Sequence, residues 1–112
     1  MGMPFRNQHE LVLFASKIAG KIGDGATPNV LQYERDAKAE HHTPKPPSLL
    51  QDLIQQVEGK LYYEPFCGGG PTIVACEQIG RACYAMEIAP KWMAVTLERL
   101  AGMGLEPKLI TQ

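Results

Sequence analysis

Three consecutive glycines, Gly68, Gly69 and Gly70, follow the short apolar run Leu61-Tyr62-Tyr63 and stand directly before Pro71 and Thr72. Glycine lets a main chain approach a ligand closely and adopt positive φ, so such a run suits a strand that turns into a helix while leaving its backbone exposed. Pro71 is tolerated at the first helical position, because the N–H it lacks would have no helical partner there. The N–H groups that open the helix favour an anionic group such as a carboxylate or phosphate. Glu87 lies nineteen residues after Gly68, at the end of the next apolar run. There a carboxylate can accept from both hydroxyls of a bound ribose. A tight turn explains three glycines as readily as a ligand does, but turn and carboxylate together point to a nucleoside-containing ligand.

Other reactive residue types carry less. Cys67, beside the glycines and near a helix start, has the position of a low-pKa nucleophile, yet no base is paired with it in the sequence. Cys67, Cys76 and Cys83 have neither metal-ligand spacing nor a disulfide framework, and read as free thiols. His41 and His42 are adjacent and cannot both face one ion from a helix or strand, so no metal site is expected. Trp92 and the tyrosines read as core or surface aromatics, although Tyr62 or Tyr63 could line a crevice. Lys45 opposes the dipole of the helix it precedes unless it reaches a ligand or a carboxylate; a ligand is the reading adopted.

The elements that must position these groups follow from pattern. Leu11-Val12-Leu13-Phe14-Ala15 reads as a buried strand, Gly20 to Pro28 as a loop, and Asn29 to Tyr33 as a possible second strand. From Glu34 to His42 charges of both signs follow without periodicity, as in a solvated loop. Pro46 and Pro47 open a helix whose Leu49, Leu50, Leu53, Ile54 and Val57 share one face, until Gly59 stops it. Leu61-Tyr62-Tyr63 is a strand, a helix runs from Pro71 to Ile79 with Gly80 behind it, and Ala82 to Met86 is the next strand. A last helix opens at Pro90, with Trp92, Val95, Leu97 and Leu100 as its apolar positions. Strand, glycine turn, helix, strand and acidic residue make a βαβ unit with parallel strands, hence an α/β fold.

The 112 residues, 45% of them hydrophobic, suffice for one domain, taken as residues 1–112. No apolar run approaches the ~20 residues needed to cross a bilayer, and Met1 to His9 shows no targeting pattern, so no membrane association and a cytoplasmic location are expected. A net charge of −1 gives the whole chain no electrostatic footprint for polyanions.

Glu64-Pro65-Phe66-Cys67-Gly68-Gly69-Gly70-Pro71-Thr72 resembles the cofactor motif of the N6-adenine and N4-cytosine DNA methyltransferases, Asp-Pro-Phe-x-Gly-Ser-Gly-Thr-Thr. His42-Thr43-Pro44-Lys45-Pro46 resembles a second cofactor element of that family, His-Pro-Thr-x-Lys-Pro. Gly80-Arg81 and Met86-Glu87-Ile88-Ala89-Pro90 are similar to its Gly-Arg and Glu-Ile-Asp-Pro pattern, and Phe5-Arg6 with His9-Glu10 resembles the segment before these elements. The linear order is that of the β group, whose catalytic motif comes first. The resemblance implies a partial Rossmann-like sheet with flanking helices, S-adenosyl-L-methionine as cofactor, and methylation of a base amino group in DNA. It implies that Glu64, Pro65, Phe66, Cys67, Gly68 and Gly70 shape the loop around the methionine part. Glu87 would hold the ribose with Ile88 beside it, and Thr43, Lys45 and Pro46 would close the carboxylate end.

The chain departs from the pattern at Glu64 for Asp, Gly69 for Ser, Pro71 for Thr and Ala89 for a capping Asp. The last change is worth about 1 kcal/mol of helix capping. The family's catalytic Asp/Asn/Ser-Pro-Pro-aromatic tetrapeptide does not occur; Lys45-Pro46-Pro47-Ser48 has two prolines but a cationic first residue and no aromatic fourth. No catalytic residue is therefore assigned, and no target-recognition segment is found. The expectation is the cofactor-binding part of a DNA methyltransferase, inactive in isolation and tied to restriction-modification. Its expected partners are DNA in the complete enzyme, and a complementary chain carrying the catalytic motif or a second copy of itself. The rival is a noncatalytic regulatory or assembly module retaining the fold. A dinucleotide oxidoreductase fits less well, since Gly-Gly-Gly is not G-x-G-x-x-G.

Overall fold

The computed structural model describes residues 9–17, 22–23, 25–34 and 45–111. Among the described residues five elements follow one another: α1 (Pro47–Gln55), β1 (Leu61–Glu64), α2 (Pro71–Gln78), β2 (Ala82–Ala85) and α3 (Pro90–Gly102). Strands β1 and β2 are parallel, pairing Leu61 with Ala82, Tyr62 with Cys83, Tyr63 with Tyr84 and Glu64 with Ala85. This is the expected βαβ unit, with α2 as the crossover.

Each helix begins at a proline and none has a side-chain cap. Pro46 is the residue before α1, and its carbonyl accepts from the N–H groups of Leu49 (3.1 Å) and Leu50 (3.4 Å). At α3 the capping position is Ala89, which has no side-chain acceptor to offer the open N–H groups, as the departure from Asp implies.

The core lies between α1, α2 and the strands. Ile54, Ala75 and Cys76 are buried, and Leu50, Tyr62, Ile79 and Cys83 pack against them. Tyr62 does not line a crevice: its ring joins this core, and its hydroxyl lies 3.1–3.2 Å from the carbonyls of Ile54, Val57 and Gly59, at the end of α1 and just beyond it. The Arg81 guanidinium also donates to the Gly59 carbonyl. Burial pushes the Cys76 thiol up and the Cys83 thiol up to about 11, so both stay protonated at neutral pH and behave as apolar packing groups.

Alternation along the strands sends Tyr62, Glu64, Cys83 and Ala85 to the covered face, and Leu61, Tyr63, Ala82 and Tyr84 to the other. That second face is open, with Leu61, Tyr63 and Tyr84 each at least 60% exposed. Parallel sheets ordinarily have both faces covered.

Two expectations fail. Leu11 to Ala15 is not a buried strand: the run is irregular and Leu11, Val12, Leu13 and Phe14 are all exposed. Asn29 to Tyr33 is irregular too, and is tied to α1 instead, through a hydrogen bond from the Tyr33 hydroxyl to the Asp52 carboxylate. Nearby, Gly23 N–H donates to the Gln56 carbonyl at 2.7 Å and the Thr27 hydroxyl to the Gln56 side chain at 3.0 Å. A β-compatible run becomes a strand only when another strand offers it a ladder, and neither run has one here. Helix α3 opens at Pro90 as expected, and its one buried residue is Thr96, while Val95 and Leu97 are exposed and Trp92 and Leu100 half-buried.

Among the described residues no helix is long and apolar enough to cross a membrane, and no group of three or more His, Cys, Asp or Glu side chains could hold a metal ion. Phe5, Arg6, His41, His42 and Thr43 lie outside the described residues.

Candidate cofactor site

Because β1 and β2 run parallel, both carboxyl ends lie on one side, and the segments that leave them meet there. Hydrogen bonds from Met86 N–H to the Glu64 carbonyl and from Cys67 N–H to the Met86 carbonyl, each 2.9 Å, carry the pairing past the strand ends. They bring the glycine loop against Glu87. In open α/β sheets the crevice beyond the carboxyl ends of the strands is where ligands bind.

Gly68 and Gly70 have φ of 52° and 80°, both in the left-handed region. Gly70 is required for a second reason. A Cβ placed on it would lie 2.8 Å from Cγ2 and 2.9 Å from Oγ1 of Thr96. At Gly68, by contrast, nothing lies within 4 Å of that position, so the loop is open to a ligand on that side. Gly70 N–H closes the turn onto the Cys67 carbonyl at 2.8 Å, and the Gly70 carbonyl begins α2 by accepting from Val74 N–H at 3.0 Å.

Two carboxylates organise the loop. Glu87 accepts from Gly68 N–H through Oε2 at 2.8 Å and from Ala89 N–H through Oε1 at 2.9 Å. The N–H groups of Ala89 and then Gly68 hold its carboxyl below the ordinary pKa, so it is ionised at neutral pH. Glu64 accepts from Phe66 N–H through Oε1 and from the Thr72 hydroxyl through Oε2, both at 2.9 Å. Glu64 thus ties the start of the loop to the first turn of α2.

From behind, α3 holds the loop by its carbonyls. The Thr96 hydroxyl donates to the Gly68 carbonyl and Arg99 Nη1 to the Gly69 carbonyl, each at 2.9 Å. Neither residue was singled out from the sequence. The only trace there is a threonine at a mid-helix position of α3, where its helix propensity recommends little.

The remaining candidates are placed unevenly. Cys67 is 3% exposed, and burial, then the Glu87 charge, pushes its thiol up. That environment opposes a thiolate nucleophile, and the residue serves the loop through its backbone. Phe66 and Ile88 are 86% and 98% exposed, one before the loop and one after the carboxylate. Pro65 is exposed beside Phe66. Lys45 pairs with a carboxylate, Glu10 Oε2 at 2.7 Å, in a pair more than half exposed on both sides. Such a pair is worth roughly 0–1 kcal/mol and is readily exchanged for another anion.

A glycine turn between a parallel strand and a helix, met by the carboxylate that follows the next strand, is a candidate nucleoside site in an α/β, partial Rossmann-like fold. The family model described as DNA methylase, of the N6/N4 type, matches residues 21–98, and the chain belongs to that family. YubD of Escherichia coli (strain K12), which is named as a methylase, is 29% identical over 98 residues, covering 86% of this chain and 43% of its own length. Among solved structures, the M1.HpyAVI–SAM complex aligns with a TM-score of 0.56 at 23% identity, covering 73% of this chain and 44% of the other. The likeness to that structure is one of fold. The chain thus spans less than half the length of either relative.

Proposed function

We propose that this chain is the S-adenosyl-L-methionine-binding part of a DNA methyltransferase that modifies a base amino group, adenine N6 or cytosine N4. The observation that carries the reading is the contact between Gly68 N–H and Glu87, which joins the glycine loop and the ribose-type carboxylate into one site at 2.8 Å. Family membership supports the reaction class.

The residues fit the cofactor. A carboxylate offers about four acceptor positions, and Glu87 uses one on each oxygen, which leaves one on each for the two ribose hydroxyls. The exposed rings and branches of Phe66 and Ile88 give apolar surface on either side of that carboxylate. The open side of Gly68 admits the methionine part, and the first N–H groups of α2 favour its carboxylate. Lys45 closes that end by exchanging Glu10 for the ligand carboxylate, with Pro46 and Thr43 beside it in the chain. Bound S-adenosylmethionine supplies an electrophilic methyl group, and this chain's residues fix where it points. Addition of S-adenosylhomocysteine should shift the backbone amide resonances of residues 66–72 and 87–89 while leaving those of α1 in place. Shifts confined to other segments would overturn the assignment.

The Pro-Pro-aromatic tetrapeptide that would accept from the amino group and stack on an extruded base belongs, in this reading, to sequence beyond these 112 residues, in a longer polypeptide or a second chain. The open face at Leu61, Tyr63 and Tyr84 is where further helices would pack, and the outer edges of β1 and β2, unpaired among the described residues, are where further strands would add. Alone, the chain should satisfy that face with a second copy and sediment as a self-associating species at micromolar concentration. A monomer throughout that range, with a cooperative melt, would count against this.

A further inference from the structure

We infer that α3 sets the polarity of the glycine loop: Thr96 and Arg99 are positioning residues that draw two successive carbonyls to one side, so that Gly69 N–H, which shares a peptide plane with the Gly68 carbonyl, is turned to the ligand side while Gly68 N–H stays on Glu87 and Gly70 N–H on the Cys67 carbonyl. This rests on the cofactor reading for its consequence but not for its geometry.

A glycine run has no side chains to decide which way its peptide planes point, and it loses more conformational freedom on ordering than any other sequence. An electron-rich ligand needs the N–H groups; a plane flipped the other way would offer it a carbonyl instead. In this loop the carbonyls of Gly68 and Gly69 both point at α3, where Thr96 Oγ1 and Arg99 Nη1 each donate at 2.9 Å. Thr96 and Arg99 are three residues apart, hence neighbours on one helix face. Thr96 is 1% exposed and Gly70 fits against its side chain with no room for a Cβ. A threonine inside a helix often turns its hydroxyl back to the carbonyl one turn earlier. Here the hydroxyl goes to the loop, and no buried side-chain polar atom is left without a partner among the described residues. A cation near the end of α3 suits the helix dipole wherever its guanidinium points, but that does not account for the aim of Arg99 at Gly69.

The test uses the whole chain and three variants. Thr96→Val keeps the shape and removes the donor, Thr96→Ser keeps the donor, and Arg99→Met keeps the stem. Thr96→Val should weaken S-adenosylhomocysteine binding about tenfold by calorimetry, Arg99→Met by a similar factor, and Thr96→Ser by less than about twofold. Without ligand, amide hydrogen exchange at Gly68 and Gly70, whose N–H groups are bonded to Glu87 and the Cys67 carbonyl, should quicken in Thr96→Val and Arg99→Met while Ala75 and Cys76 keep parental rates. Equal acceleration at the loop and at Ala75 and Cys76, unrelieved in Thr96→Ser, would mean ordinary packing and overturn the proposal. So would parental loop exchange in both donor-lacking variants. If the parent chain binds no cofactor, the proposed function fails on that result, and the exchange rates still decide whether α3 positions the loop.

Discussion

Glu87→Gln should weaken binding of S-adenosylmethionine roughly tenfold or more, because it damages the site twice. The carboxylate accepts from Gly68 N–H and Ala89 N–H with one oxygen each and keeps an acceptor position on both for the ribose. A carboxamide has a single oxygen, and its NH2 group would face either the Gly68 or the Ala89 donor. The variant therefore loses a ribose contact and releases one anchor of the glycine loop. Hydrogen bonds to a charged acceptor are also stronger than those to a neutral one. Because Ala89 and Gly68 hold the Glu87 carboxyl below its ordinary pKa, the contribution is complete at neutral pH and persists down through the usual carboxylate range. It fades only as pH falls through the lowered pKa, where protonation removes the acceptor. Calorimetry at neutral pH checks the variant, and an affinity equal to the parent's would sink the ribose assignment.

A second large effect is expected in catalysis. The chain alone should not methylate DNA, however well it binds cofactor. Transfer needs the amino nitrogen in line with the sulfonium methyl, and much of the available rate gain comes from holding both reactants in that geometry. The glycine loop, Glu64 and Glu87 fix one reactant only. Nothing in these 112 residues matches the tetrapeptide that would hold the extruded base, and a net charge of −1 gives little purchase on the duplex. A polypeptide carrying that tetrapeptide, supplied in trans, should restore transfer if the enzyme is divided between chains and should do nothing if this is a noncatalytic module. Incubation with tritiated cofactor and mixed-sequence DNA measures it. Base-associated label from the chain alone, above a Gly70→Trp control, would show the expectation to be wrong.

What the sequence made legible was local chemistry. The glycines, Pro71 and Glu87 could be read because a turn, a helix start and an acidic strand end each need only neighbouring residues. The structure brings Gly68 and Glu87 together within hydrogen-bond distance. Helix α1 was equally clear from its apolar face, but it ends at Gln55, before the Val57 and Gly59 that the pattern assigned to its end. Leu11 to Ala15 misled because an apolar β-compatible run says nothing about whether a partner strand is present. Thr96 and Arg99 stayed hidden for a related reason: their value lies in two carbonyls some thirty positions away in the chain, with no periodicity to announce them. In α3 the one buried residue is a threonine, outside the apolar positions that pattern picks out, and with Arg99 it bonds the carbonyls of the glycine turn.

The central claim, that this glycine loop and carboxylate form a nucleoside-cofactor site, is tested most directly by titrating S-adenosylmethionine into the purified, folded chain in a calorimeter. Saturable one-to-one binding is predicted, competed by S-adenosylhomocysteine and abolished by Gly70→Trp, which would fill the loop and collide with Thr96. A chain whose circular dichroism shows it folded, yet which takes up neither compound, would contradict the account.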